Sequence, residues 1–326
     1  MTQKPTSDDE VYSLIGGARG MEARSGDAIE RARALPIWSG TVEPTLLSGG
    51  LSNINLTVDD AGERYVIRVG EDEPVFGVFR DHELLAFRAA HAAGVAPEVV
   101  YGEPGLMVIR FIEGRSLMPA DVREPARLTE VARLFRRLHG EAHKHLDSTG
   151  FMFWPFQHQR SHIRLLHRRS DRLYERWRGM LPGLAAANEE LEHALGPVSV
   201  VFGHNDLNPQ NIMDDGERLW FVDWEFAGFV VDLFDLGVLA MNIEIGPDES
   251  DVFLEGYFGA PVTDELRYRF AAAKVAAALR ETTWSFVSEL MDKPIDFDFR
   301  IYSTMNADRY ERMYAEFRET YGPPGQ

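Results

Sequence analysis

The segment VFGHNDLNPQNIMDDGERLWFVDWEF, Val201 to Phe226, sets His204, Asp206, Asn208, Asn211, Asp223 and Glu225 between short apolar runs. Asp, Asn, Gly and Pro are also ordinary turn residues, and a turn-rich hairpin accounts for Asn-Pro and Asp-Asp-Gly. It does not account for Asp206 and Asp223 each adjoining the end of an apolar strand, with Asn211 between them. A dimetal hydrolase would want more His and carboxylate ligands, and only His204 is near. Phosphoryl transfer has needs that this set meets. Negative charge on a nucleoside triphosphate calls for Mg²⁺ held by hard oxygen ligands. A separate carboxylate must stand by the attacking hydroxyl to take or orient its proton.

The spacing Asp, four residues, Asn, then a strand ending in Asp resembles that of protein kinases. On that arrangement Asp206 orients the hydroxyl, and Asn211 and Asp223 hold the metal. His204 is expected to be structural, its ring bonding loop carbonyls. The longer match of HNDLNPQN with FVDWEFAGFVVDLFDLG resembles the choline/ethanolamine kinase branch of the aminoglycoside phosphotransferase-like superfamily. The resemblance implies a protein-kinase-like fold, ATP as co-substrate and Mg²⁺ as cofactor. It places Asp235 as a brace of the catalytic loop, accepting backbone N–H bonds; an ordinary helix N-cap is the other reading of that residue.

A kinase site needs a cation on the α- and β-phosphates, held by a carboxylate of the lobe's helix. The only lysines are Lys4, Lys144, Lys274 and Lys293, so the first third offers none after Lys4. On the strand RYVIRV the inward cation is Arg68, with Glu83 of RDHELLAF as its partner; a loosely paired surface Arg is the alternative. The stretch LSGGLSNINLTV resembles the family's phosphate loop. Gly49 and Gly50 would let backbone N–H groups approach anionic oxygens, and Ser52 and Asn53 would add donors. MVIRFIEG resembles the interlobe segment, so backbone groups of Arg110, Phe111 and Ile112 are expected at the adenine edge.

For the acceptor, the resemblance points to a pocket of aromatic faces and carboxylates suited to a small cationic amino alcohol such as choline or ethanolamine. Trp284, Phe226, and Phe299 or Tyr302 are the ring candidates; Glu225 and Glu281 are the carboxylates. Two positions depart from the family. Glu281 stands where a second pocket Trp is expected, and Asn242 where an acidic residue is expected after FDLG. A thiamine, aminoglycoside or sugar-like alcohol kinase is the alternative within enzymes. A catalytically silent nucleotide-binding module is the alternative outside them.

These residues need two supporting regions. Residues 1–40 read as a polar tail and a short helix. Residues 41–112 read as a nucleotide lobe: strands INLTV and RYVIRV around a DDAGE turn, one main helix, then strands PEVVYG and LMVIRFI. Residues 113–326 read as a larger, mostly helical catalytic lobe interrupted by the strands VSVVFG and RLWFVDW. The fold class expected is therefore α+β, bilobal and protein-kinase-like.

The 326 residues suffice for two lobes with real cores, and no cysteine is available for a disulfide, thiolate or nucleophile. The net charge of −18 makes nucleic acid a poor partner and suits cationic small molecules. The polar N-terminus lacks a signal-like apolar region, and no run approaches a membrane span. A cytoplasmic chain with no membrane insertion is expected, and a homodimer is left open. Seven arginines between Arg160 and Arg178 read as a solvated helix face, with phosphate or partner contact as the alternative.

Overall fold

The computed structural model describes residues 22–47, 53–168, 172–291 and 297–322. Helix α1 (Glu22–Arg33) precedes a five-stranded antiparallel sheet of β1 (Thr45–Leu47), β2 (Ile54–Asp60), β3 (Glu63–Val69), β4 (Val99–Glu103) and β5 (Leu106–Arg110), ordered β1-β2-β3-β5-β4. Ala61 and Gly62, both with positive φ (51° and 86°), form the two-residue turn that sets the β2–β3 register. Helix α2 (Arg80–Ala92) crosses between β3 and β4 and ends before Gly94, whose φ is 72°.

Alternation along β3 divides its duties. Ile67 and Val69 join Leu56, Val58 and Val108 in a small core closed by Ala28 and Ala32 of α1. Arg68 falls on the opposite face, toward α2. Val66, Met107, Ile109, Leu84 and Phe87 pack on that side into the main core.

The chain then passes Gly114, where a Cβ would lie 2.2 Å from the Asp214 carbonyl oxygen, so only glycine lets the connector run this close. Next come β6 (Arg115–Ser116) and helices α3 (Pro119–Arg123), α4 (Pro125–Glu141), α5 (Pro155–His167), α6 (Arg172–Trp177) and α7 (Leu181–Leu195). Strands β7 (Val200–Gly203), β8 (Ile212–Asp214), β9 (Leu219–Phe221) and β10 (Gly228–Val231) follow, then α8 (Asp232–Asn242), α9 (Pro247–Phe258), α10 (Asp264–Met291) and α11 (Phe299–Tyr321). The two strands anticipated around the catalytic segment do not pair with each other. β7 pairs with β10, and β9 with β8, which pairs with β6. Both pairings clamp the segment that holds the candidate residues.

Helix α10 packs against α5, α7, α8 and α11 and is buried along nearly its whole length. Arg160 of the Arg-rich stretch pairs with Glu189 and Glu192, and Arg176 with Glu289 at 2.6 Å, so these two tie α5 to α7 and α6 to α10. Among the described residues, no helix is long and apolar enough to cross a membrane. The architecture is an antiparallel sheet with one main crossing helix, followed by a mostly helical body, as in protein kinases.

Candidate functional site

The loop after β7 is fixed from beneath. Asp235, in the first turn of α8 and fully buried, accepts the His204 N–H at 2.8 Å and the Asn205 N–H at 2.6 Å. His139 of α4 donates its Nε2–H to the same carboxylate at 2.9 Å, and Tyr257 meets His139 Nδ1 at 2.7 Å. Burial alone would raise the Asp235 carboxyl, but the His139 hydrogen bond and charge, with help from His204, hold it below the usual range. His204 donates Nε2–H to the Val222 carbonyl at 2.9 Å and accepts the Asp206 N–H on Nδ1 at 3.4 Å. Burial lowers its pKa, so it stays neutral in this tautomer. Asn205 takes a left-handed φ of 67°, a conformation Asn tolerates. The turn thereby presents Asp206.

Asp206 meets a residue that the sequence reading did not name. Arg280, buried on α10, donates to Asp206 Oδ1 at 2.7 Å, to the Asn205 carbonyl at 2.6 Å and to Glu281 Oε2 at 3.2 Å. Tyr302 of α11 donates to Glu281 Oε1 at 2.6 Å. Desolvation pushes the Asp206 carboxyl up to about 7 against the pull of Arg280, with Glu281 adding to the rise. Phe226 lies under the Arg280 guanidinium, 5.5 Å from ring centre to Cζ. Trp284 stands one turn beyond Arg280, 6.3 Å from the rings of both Phe299 and Tyr302. Glu281, Phe226, Trp284 and Tyr302 therefore form one neighbourhood beside Asp206.

On the other side of the loop, Asn211 donates Nδ2–H to the Asp206 carbonyl at 3.3 Å, and the Val222 N–H reaches the Asn211 carbonyl at 3.0 Å. Asp223 follows with a left-handed φ of 69° and binds Arg68 through Oδ1. Arg68 is buried and also gives two N–H groups to Glu83 Oε1, at 3.0 and 3.2 Å. Burial works against the Arg68 charge, but Asp223, Glu83 and Glu225 outweigh it and raise the pKa further.

Arg80, a second unanticipated cation, pairs with Glu83 Oε2 at 2.6 Å and Glu225 Oε2 at 3.1 Å. Asn53 donates to the same Glu225 oxygen at 3.2 Å. Glu225 is thus engaged by the sheet lobe and α2, away from the Trp284 neighbourhood. Asn242 donates to the Leu207 carbonyl at 3.3 Å, which makes it a second support of the loop. The amides of Arg110 and Phe111 are committed to the Glu98 and Arg64 carbonyls, at 2.9 and 3.0 Å. Gly49, Gly50 and Ser52 lie outside the described residues.

Asn211 and Asp223 offer one amide and one carboxylate oxygen side, a hard donor set suited to Mg²⁺ that keeps phosphate and water oxygens as its other ligands. Among the described residues, no three His, Asp or Glu side chains converge on a metal position. An ion here would depend on oxygens brought by a nucleotide. One signal could have found Arg280: an Arg inside AAAKVAAALRETTW, a segment too apolar to face solvent, needs a buried anion.

Residues 45–254 match the choline/ethanolamine kinase family. A solved choline/ethanolamine kinase family protein from Mesorhizobium loti is 26% identical, covering 91% of this chain and 95% of that one, with a TM-score of 0.72. A probable ethanolamine kinase of Arabidopsis thaliana is 25% identical over 82% of this chain and 78% of that protein. Protein LicA of Haemophilus influenzae is 25% identical over 64% of this chain and 61% of its own length.

Proposed function

Because the chain belongs to the choline/ethanolamine kinase family, a family of small-molecule kinases, we propose that it transfers the γ-phosphoryl group of ATP to the hydroxyl of a small amino alcohol such as choline or ethanolamine. The observation that carries this reading is the pairing around one loop. Asp206 meets the ring-lined neighbourhood through Arg280, Asn211 is bonded to the Asp206 carbonyl, and Asp223 is bonded to Arg68 of the sheet lobe.

In the reaction the alcohol oxygen attacks the γ-phosphorus and the bond to the β-phosphate oxygen breaks. Asp206 accepts the hydroxyl proton, and its ionised form is the one that can do so. Arg68, oriented by Glu83, supplies a fixed positive charge to the phosphates. Asn211 and Asp223 would hold Mg²⁺, which when bound offsets charge on the phosphate oxygens. Asp235, His139 and Asn242 keep the loop rigid, so Asp206 needs little reorganisation when the acceptor arrives.

Asp206→Asn tests the assignment. The amide cannot take the proton, so turnover should fall on the order of 100-fold or more while MgATP still raises the melting temperature. Turnover near wild type in Asp206→Asn would remove Asp206 from this role.

A further inference from the structure

Arg280 fills the position that a cationic head group would want. Its guanidinium binds Asp206 at 2.7 Å and Glu281 at 3.2 Å and lies over the Phe226 ring. The second Glu281 oxygen is taken by Tyr302 at 2.6 Å. A methylated ammonium is attracted by carboxylates and aromatic faces. Here two carboxylates and one face are already engaged by a cation of the chain itself.

The same neighbourhood holds polar atoms with no protein partner. Arg280 and Trp284 lie one turn apart on α10, and the Nε–H of the first and the Nε1–H of the second are buried and unpaired. Phe76 sits 5.4 Å from the Trp284 ring and 6.1 Å from His162, and the His158 and His162 rings are 4.3 Å apart. His158 and His162 give Nε2–H to the Phe76 and Val75 carbonyls, at 2.9 and 3.3 Å. Each keeps a buried, unpaired Nδ1 lone pair. Unpaired buried donors and acceptors are costly. A guest bearing N–H groups and a hydroxyl oxygen can relieve them, whereas a quaternary ammonium has no N–H to offer.

Resting on the amino-alcohol reading above, we infer that Arg280 is a specificity-determining residue that turns the site away from quaternary ammonium acceptors and toward amino alcohols with a primary ammonium. The ammonium N–H groups suit the histidine lone pairs, and the acceptor hydroxyl oxygen suits the Arg280 Nε–H.

The test is steady-state kinetics with ethanolamine and choline at saturating MgATP. In wild type, kcat/KM for ethanolamine should exceed that for choline on the order of 100-fold or more, because sites built to hydrogen-bond a guest strongly reject the analogue lacking the bond. Arg280→Met frees Glu281 and Phe226 for a methylated ammonium. The ratio should then fall about tenfold, with a lower KM for choline, even as loss of the Asp206 partner reduces kcat for both alcohols. Arg280→Lys keeps a cation and should keep the preference. General loosening of the fold lowers both activities and leaves the ratio unmoved.

Wild type that uses choline as well as ethanolamine overturns the inference, and this measurement stands even if Arg280→Met does not fold. An active Arg280→Met with an unchanged ratio overturns it too. If neither alcohol is phosphorylated while MgATP still raises the melting temperature, the amino-alcohol reading falls and the inference falls with it.

Discussion

Removing the Asp235 carboxylate should cost more stability than any other single truncation at the catalytic loop. Asp235→Ala leaves three buried donors without acceptors: the N–H groups of His204 and Asn205 and the Nε2–H of His139. Each orphaned donor costs about 1–3 kcal/mol, and water entering the vacated space recovers part, so the net loss should be about 3–5 kcal/mol. For 326 residues the unfolding entropy near the melting point is roughly 0.7 kcal/mol per degree, which converts the loss to a fall of about 4–7 °C. Asp235→Asn should lose about half as much, since one amide oxygen still accepts while its NH₂ meets a backbone donor.

Gly203→Ala offers an independent route to the same contact. Its Cβ would lie 2.4 Å from Asp235 Oδ2 and 2.6 Å from Val230 Cγ1, so the carboxylate must move. The folded-state pKa of Asp235 is lowered, so its contribution is complete above the unfolded carboxylate value of about 4 and is lost as pH falls through the folded value. The gap between wild type and Asp235→Ala should accordingly be constant across neutral pH. The assay is thermal unfolding at neutral pH, with kcat measured below the transition. Asp235→Ala melting within about 1 °C of wild type would refute the reasoning. A large loss for Ala with almost none for Asn would show that cavity formation sets the cost, whereas equal losses would show that the negative charge sets it, since Asn leaves no cavity.

Two more outcomes follow from the ion pairs and the buried histidines. Arg68→Met should raise the KM for ATP on the order of tenfold or more, the scale of a lost charge-assisted contact, and do so more than it changes the KM for the acceptor; an unchanged KM for ATP would place Arg68 outside the nucleotide site. Burial pushes His158 down to about 4 and His162 well below its ordinary value. Between that value and the unfolded one near 6.5 the unfolded chain binds more protons, so stability should fall on acidification from pH 7 to 5. Melting curves across that range should slope downward toward acid, and His158→Gln should flatten them.

The parts of this candidate site whose placement could be read in the sequence are those set by local spacing. Asp206, Asn211 and Asp223 share one loop and the strands beside it. Arg68 emerged because the lobe has no Lys, and Glu83 because a short helix with a regular apolar face follows the strand. What escaped was decided by contacts between distant segments. Arg280 is 74 residues from Asp206, and although its apolar helix calls for a buried anion, nothing in the local sequence says which one. Glu225 sits two residues from Asp223, yet its carboxylate goes to Arg80 and Asn53 of the other lobe. The strand partners of β7 and β9 were likewise hidden, because short apolar runs pair with whatever the tertiary packing brings alongside.

The scarcity of Lys also bears on how the site holds together. Arg68 binds Glu83 and Asp223, Arg80 binds Glu83 and Glu225, and Arg280 binds Asp206 and Glu281. Every one of these carboxylates therefore shares an arginine, and all three arginines are buried. A lysine so placed could escape the cost of burial by giving up its proton, but a guanidinium cannot, and its forked donors reach two anions at once. The network must stay charged, so it can be rearranged only by exchanging one ion for another. Binding a nucleotide with its metal would be such an exchange, in which Asp223 would help hold the metal and Arg68 would offer its charge to the phosphates. Arg280 is bound to Asp206 and Glu281, so its replacement should change kcat and the choice of acceptor while leaving the KM for ATP unmoved.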